Sequence, residues 1–108
     1  MRNVNIEDTQ SGRRFRMEGG MTVYSAFHFR DAVLAAIPDY GHLEVDLSGV
    51  QEMDVAGLQV MLQLKTKCPT TLRFTNYSPA VREVLRYCKL LKYFSDPVPV
   101  EEGPRAFS

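Results

Sequence analysis

LEVDLSGVQEMDVAGLQVMLQLKTK, residues 43–67, carries two hydrophobic rhythms joined by a short polar stretch. Leu43, Val45 and Leu47 alternate with Glu44 and Asp46, the period of two that marks a strand with one buried face. From Asp54 onward Leu58, Met61 and Leu62 recur at helical spacing, with Val55 and Leu64 near the same face. Ser48–Met53 between the two reads as a loop. Asp54 stands where an N-cap belongs, because its carboxylate can accept from the free amides of the first turn. Pro69 closes the segment.

Working outward, the same alternation of strand and helix repeats. Val4 and Ile6 alternate with Asn3, Asn5 and Glu7, Ser11-Gly12 signals a turn, and Phe15 and Met17 resume the alternation against Arg14, Arg16 and Glu18. Gly19-Gly20 reads as the end of that second strand. Phe29, Val33, Ala36 and Ile37 share one face of a helix expected over residues 25–37, before Pro38 and Gly41. Leu72 and Phe74 mark a fourth strand. Ser78 and Pro79 suit the cap and first turn of a last helix, in which Val81, Val84, Leu85 and Cys88 fall on one side. The order β-β-α-β-α-β-α, with short connections, predicts an α/β sandwich. Its mixed β-sheet would have four to five strands, an N-terminal hairpin and about three helices. Composition shifts at Asp96, where three prolines and a glycine arrive within DPVPVEEGPRAFS. The expected organisation is therefore one domain over 1–94 and an extended tail over 95–108, with room for one edge strand at Val98–Val100.

Composition excludes several classes of work. The 108 residues, 44% hydrophobic and 24% charged, describe one ordinary globular domain and not a disordered chain. Thirteen basic residues balance thirteen acidic ones, which argues against a nucleic-acid binder needing a surplus of cations. Uncharged stretches such as Val55–Leu64 are far short of the roughly 20 residues that cross a bilayer, so no direct membrane insertion is expected. The N-terminal MRNVNIEDTQ lacks the apolar centre of a signal peptide. Together with two cysteines and no disulfide framework, this makes a reducing, cytoplasmic setting the expectation.

Catalytic and metal chemistry find little to stand on. Cys68 and Cys88 are far apart in sequence and have no partner histidines at ligand spacing, so no zinc site is expected. Cys88 continues an apolar helical face and reads as core. His28 and His42 have no nucleophile or orienting group beside them. Gly19-Gly20 and Gly57 belong to no phosphate-loop pattern, and no cofactor is expected. Asp46, Glu52 and Asp54 cluster around the third strand's end, the usual functional edge of an α/β sheet. Capping by Asp54 explains its position without a metal or an acid-base role.

Asp46-Leu-Ser-Gly-Val-Gln-Glu-Met-Asp-Val-Ala-Gly-Leu-Gln59 resembles the signature of the STAS domain, a family that includes bacterial anti-sigma factor antagonists and the cytoplasmic domains of sulfate transporters. Its usual form is a strand ending in Asp-Leu-Ser, a short loop, and Asp-Ser/Thr-Ala/Ser-Gly-Leu opening a helix. Glu18-Gly19, Met21–Ile37, Ser78–Leu85 and Leu91–Phe94 resemble further parts of the family, in the same order, so the likeness runs from Val4 to Phe94.

The resemblance implies a non-catalytic, cytoplasmic protein-interaction module for signal transduction. Its partner would be a kinase-like anti-sigma factor or a related signalling protein, bound through residues 49–59. The implied contact residues are Gly49, Gln51, Glu52, Asp54, Val55, Ala56 and Gln59, with Thr22 and Ser78 at the rim. In antagonists of this kind the residue after the helix-opening Asp is a phosphorylated Ser or Thr. Here it is Val55, similar in shape to threonine but lacking a hydroxyl, which removes the usual switch. Ser48 is the nearest hydroxyl and belongs to the strand-end motif. An alternative implied by the same resemblance is a subunit docking on the ABC ATPase of a lipid transporter, or an adaptor of a chemotaxis protein. Many relatives also carry a fourth helix after the last strand, and EEGPRAFS, with Gly103 and Pro104, is too short for one.

Overall fold

The computed structural model describes residues 4–95. Strands β1 (Val4–Thr9) and β2 (Gly12–Met21) are followed by α1 (Ala26–Ala35), β3 (His42–Met53), α2 (Val55–Lys67), β4 (Leu72–Thr75), α3 (Pro79–Tyr87) and a short α4 (Leu91–Ser95). The strands lie in the order β1-β2-β3-β4, with β1 antiparallel to β2 and the other neighbours parallel. This is the expected mixed sheet with an N-terminal hairpin. The additional helix, α4, packs the Phe94 ring edge-on against Phe74 of β4 at 5.8 Å, and the Tyr77 hydroxyl after β4 donates to the Phe94 carbonyl at 2.7 Å. The edge strand expected at Val98–Val100, and the absence of a helix from EEGPRAFS, lie outside the described residues.

The crossovers β2-α1-β3 and β3-α2-β4 step the same way across the sheet. Right-handed connections therefore lay α1 and α2 on one face, where they touch each other. The alternation in β2, β3 and β4 serves that face, whereas in β1 Val4 is half-buried and Ile6, expected beside it, is exposed. Phe15 and Met17, Leu43, Val45 and Leu47, and Leu72 and Phe74 are buried against Phe29 and Val33 of α1, Val60, Met61 and Leu64 of α2, and Val81 and Leu85 of α3. Each such side chain stabilises the fold by ~1.5–3 kcal/mol relative to exposure. A one-residue slip of β2 would turn Arg14 and Arg16 into the core, so the pattern fixes the register.

The opposite face of the sheet carries the polar partners of that alternation. Asp46, only 2% exposed, accepts from Arg14 Nη2 at 2.7 Å, from Asn76 Nδ2 at 3.2 Å and from the Ser48 amide at 2.8 Å. Burial pushes its pKa up, but the hydrogen bonds from Ser48, Arg14 and Asn76 outweigh that and hold it at about 2, below its ordinary 3.8. The bond to Asp46 in turn raises the pKa of Arg14.

Three local expectations are corrected. Ser48–Met53 is not a loop: β3 continues to Met53, and β2 continues through Gly19 and Gly20 to Met21 beside it. Irregularities between Arg16 and Glu18 and between Gly19 and Gly20 absorb the broken alternation, and buried Val50 anchors the extension. Gly49 also fits the strand tightly, since a Cβ there would stand 2.8 Å from the Met17 carbonyl oxygen. Finally, Cys88 is exposed and not core, because α3 stops at Tyr87 and Cys88 is its C-cap, followed by Lys89 at φ 60°.

Candidate functional site

The carboxyl ends of β2 and β3 meet the amino ends of α1 and α2 at one edge of the sheet, and Asp54 organises the junction. Its Oδ1 accepts from the amides of Ala56 at 2.8 Å and Gly57 at 3.4 Å, capping α2 as its sequence position required. Its Oδ2 accepts from the Val23 amide at 2.9 Å, which fastens the turn between β2 and α1 to the start of α2. The Asp54 amide adds a bond to the Met21 carbonyl at 3.3 Å. A Cβ at Gly57 would run into that same carbonyl oxygen, so only glycine lets the helix approach so closely. Ser25 shapes the turn from within: its hydroxyl donates to the Gly20 carbonyl at 2.6 Å and accepts from the Thr22 amide at 3.2 Å.

This scaffold leaves apolar groups in solvent. Val55, in the first turn of α2, is 62% exposed, and Gln59 one turn on is also exposed. Across the Asp54 bridge, Val23 is exposed, Tyr24 is 91% exposed and Phe27 is 62% exposed, with the Arg30 guanidinium 4.9 Å above its ring. Gly49 and Gln51 open onto a neighbouring hollow of about 410 Å³, shared with Ser78, Pro79 and Ala80 at the start of α3. There the Ser78 hydroxyl accepts from the Val81 amide at 3.2 Å.

A family model described as "Mlab, STAS domain" matches residues 5–93. The chain belongs to the STAS domain family. The fold agrees. A crystal structure of an anti-sigma factor antagonist from Mycobacterium paratuberculosis superposes with a TM-score of 0.73 at 22% identity, covering 90% of this chain and 86% of that one. The unphosphorylated form of the anti-sigma factor antagonist SpoIIAA gives 0.63 at 18% identity, covering 89% of each chain. No curated protein matches the sequence.

In this STAS domain the seven residues expected to make contacts divide into two groups. Asp54, Val55, Ala56 and Gln59 stand at the capped end of α2, facing the β2–α1 turn. Gly49, Gln51 and Glu52 lie on the last part of β3, and Gly49 and Gln51 border the hollow beside α3. Rim residues Thr22 and Ser78 fall one beside each group. The carboxylates do not converge: Asp46 is engaged by Arg14 on the polar face, Asp54 is committed to amides, and Glu52 is exposed. Among the described residues no group of three or more His, Cys, Asp or Glu is placed to hold a metal, and no helix is long and apolar enough to cross a membrane.

Sequence reading missed Val23, Tyr24 and Phe27. Their signal was present: Val23-Tyr24 follows the buried Met21, and Phe27 lies off the Phe29–Val33 face, so all three were apolar residues that the core did not claim.

Proposed function

We propose that this STAS domain is a non-catalytic docking module of the cytoplasm, binding a kinase-like anti-sigma factor or a related signalling protein. Contact is through the start of α2, the end of β3 and the turn before α1. Docking here is not gated by phosphate at the usual position. The observation that carries the reading is Val55, apolar and largely exposed in the first turn of a capped helix that the Asp54–Val23 bond joins to the segment exposing Val23, Tyr24 and Phe27. A phosphate on a hydroxyl at that place is tolerated by the helix N-terminus, yet adds nearly two negative charges beside Asp54. Valine keeps the shape and excludes the charge. Val55→Glu should abolish binding of the native partner while leaving the fold intact. Unchanged affinity would remove Val55 from the interface.

A second reading is favoured by the apolar character of the same residues. Tyr24, Phe27, Val23 and Val55 together suit a lasting contact, and permanent interfaces are more hydrophobic than transient ones. The partner would then be an ABC ATPase of a lipid transporter or a chemotaxis protein. Co-purification of such a protein through size exclusion, with no kinase-like factor bound, would select this reading.

A further inference from the structure

Away from the capped start of α2, the flank of the domain holds a groove of about 750 Å³ between α1 and α2, lined by Arg30, Asp31, Leu34, Leu62, Thr66 and Lys67 among others. The helical spacing makes it continuous with the apolar end of the domain. On α1, Phe27, Asp31 and Leu34 stand at i, i+4 and i+7. On α2, Val55, Gln59, Leu62 and Thr66 stand at i, i+4, i+7 and i+11. Each stripe begins with an exposed apolar residue and continues to a half-buried leucine. From Val55 to Thr66 the path is roughly 16 Å, the length of about three helical turns.

The groove is open along one side, so it would not enclose a small molecule to the extent that ligand pockets do. Two neighbouring helices with a leucine on each form the kind of furrow that receives the ridge of a third helix. The charges bias what that helix carries. Asp31 is already taken by Arg30, whose Nε and Nη2 donate to its Oδ1 at 3.2 and 3.1 Å. Lys67 has no acidic partner among the described residues, which leaves one unneutralised ammonium at the far end of the groove.

We propose that the α1–α2 groove receives an amphipathic helix of the partner protein, its apolar stripe over Leu34 and Leu62 and an acidic flank against Lys67. This rests on the docking reading above and names a second part of the same interface.

The test uses the full 108-residue chain and two synthetic helical peptides of fourteen residues. Both have leucine at i, i+4, i+7 and i+11, one with glutamates and the other with lysines along the flank. Titration followed by amide chemical shifts should show the acidic peptide binding at least tenfold more tightly than the basic one, with shifts at Leu34, Leu62, Thr66 and Lys67. Lys67→Glu, an exposed change that should leave the circular dichroism spectrum unaltered, should weaken the acidic peptide at least fivefold and favour the basic one. Equal binding of both peptides, or shifts confined to the sheet's polar face, would overturn the proposal. So would concentration-dependent dimerisation abolished by Leu62→Asp, which would show that a second copy fills the groove. Val55→Glu separates the two readings. Loss of the native partner with acidic-peptide shifts retained at Leu62 and Lys67 supports both; retained partner with peptide shifts present refutes only the Val55 assignment.

Discussion

The Asp54 carboxylate accepts from the Val23 amide at 2.9 Å while its other oxygen caps α2, so one side chain joins two segments of the candidate interface. Asp54→Ala removes the cap, worth about 1 kcal/mol. It also releases the Val23 amide, which is exposed and can turn to water at little further cost. The expected loss is about 1–2 kcal/mol, a drop in Tm on the order of 5–10 °C for a domain of this size. Amide exchange should accelerate at Val23, Ala56 and Gly57 together, and Asp54→Asn should recover part of the protection. Acceleration at Ala56 and Gly57 alone would show that the link to Val23 carries no stability.

Gly57 opposes two effects whose balance is decided by geometry. Within a helix, alanine is favoured over glycine by about 1 kcal/mol. Here the added methyl meets the Met21 carbonyl oxygen, a backbone atom that cannot rotate away, so α2 must shift from the end of β2. Gly57→Ala should therefore destabilise by about 1–3 kcal/mol, as overpacking does, and weaken partner binding by displacing Val55. A higher midpoint in urea would show that the helix had room to spare.

How much of this was legible beforehand follows from what each residue answers to. The Asp54 and Ser78 caps depend on one side chain and amides two or three positions away, and both stand where the sequence placed them. The alternation in β2 and β3 was equally readable up to Met17 and Leu47, beyond which the chain continues in strand through two irregularities. The period of two fails there while the pairing does not, so Ser48–Met53 looked like a loop. Cys88 misled for the converse reason: the apolar period runs on to it, but the helix ends one residue earlier. The Asp54–Val23 bridge spans thirty-one positions and rests on chain geometry that no local pattern encodes.

Asp46 makes stability depend on acid. Its side chain is 3% exposed, but that of Arg14 is 39% exposed, so solvent screens part of their attraction. Because the folded carboxyl sits at about 2 and the ordinary value is 3.8, its contribution is complete above about pH 4 and disappears as pH falls through 2. The amount at neutral pH is about 2 kcal/mol. Urea unfolding of the native chain and of Asp46→Asn should differ by about that much at pH 7, and the difference should close between pH 4 and pH 2. A gap that persists unchanged at pH 2 would assign the loss to packing and not to the charge.

Tyr24 is so exposed that its removal should leave stability within about 0.5 kcal/mol. Large aromatic side chains at the centre of an interface nevertheless supply much of its binding energy. Tyr24→Ala and Phe27→Ala should each weaken the native partner at least tenfold by calorimetry, with unaltered thermal unfolding for Tyr24→Ala. Full affinity in both variants would confine the contact to the α2 side of the Asp54 bridge.

Val55→Thr is the variant that tests the proposal that Val55 removes a phosphate switch. Threonine nearly matches valine in volume, and at a position 62% exposed the exchange should alter stability by less than about 0.5 kcal/mol. The hydroxyl would sit in the first turn of α2, beside the Asp54 carboxylate and within the helix's positive end. Incubated with ATP and a kinase-like partner, the variant should gain one phosphate by intact mass while the native chain gains none. Its unmodified form should bind like the native chain. The phosphorylated form should release the partner, because roughly −1.5 to −2 charges would then stand in the contact surface. Phosphorylation of the native chain at Ser48 would contradict the expectation directly, since it would place a working switch on β3 and make Val55 irrelevant to regulation.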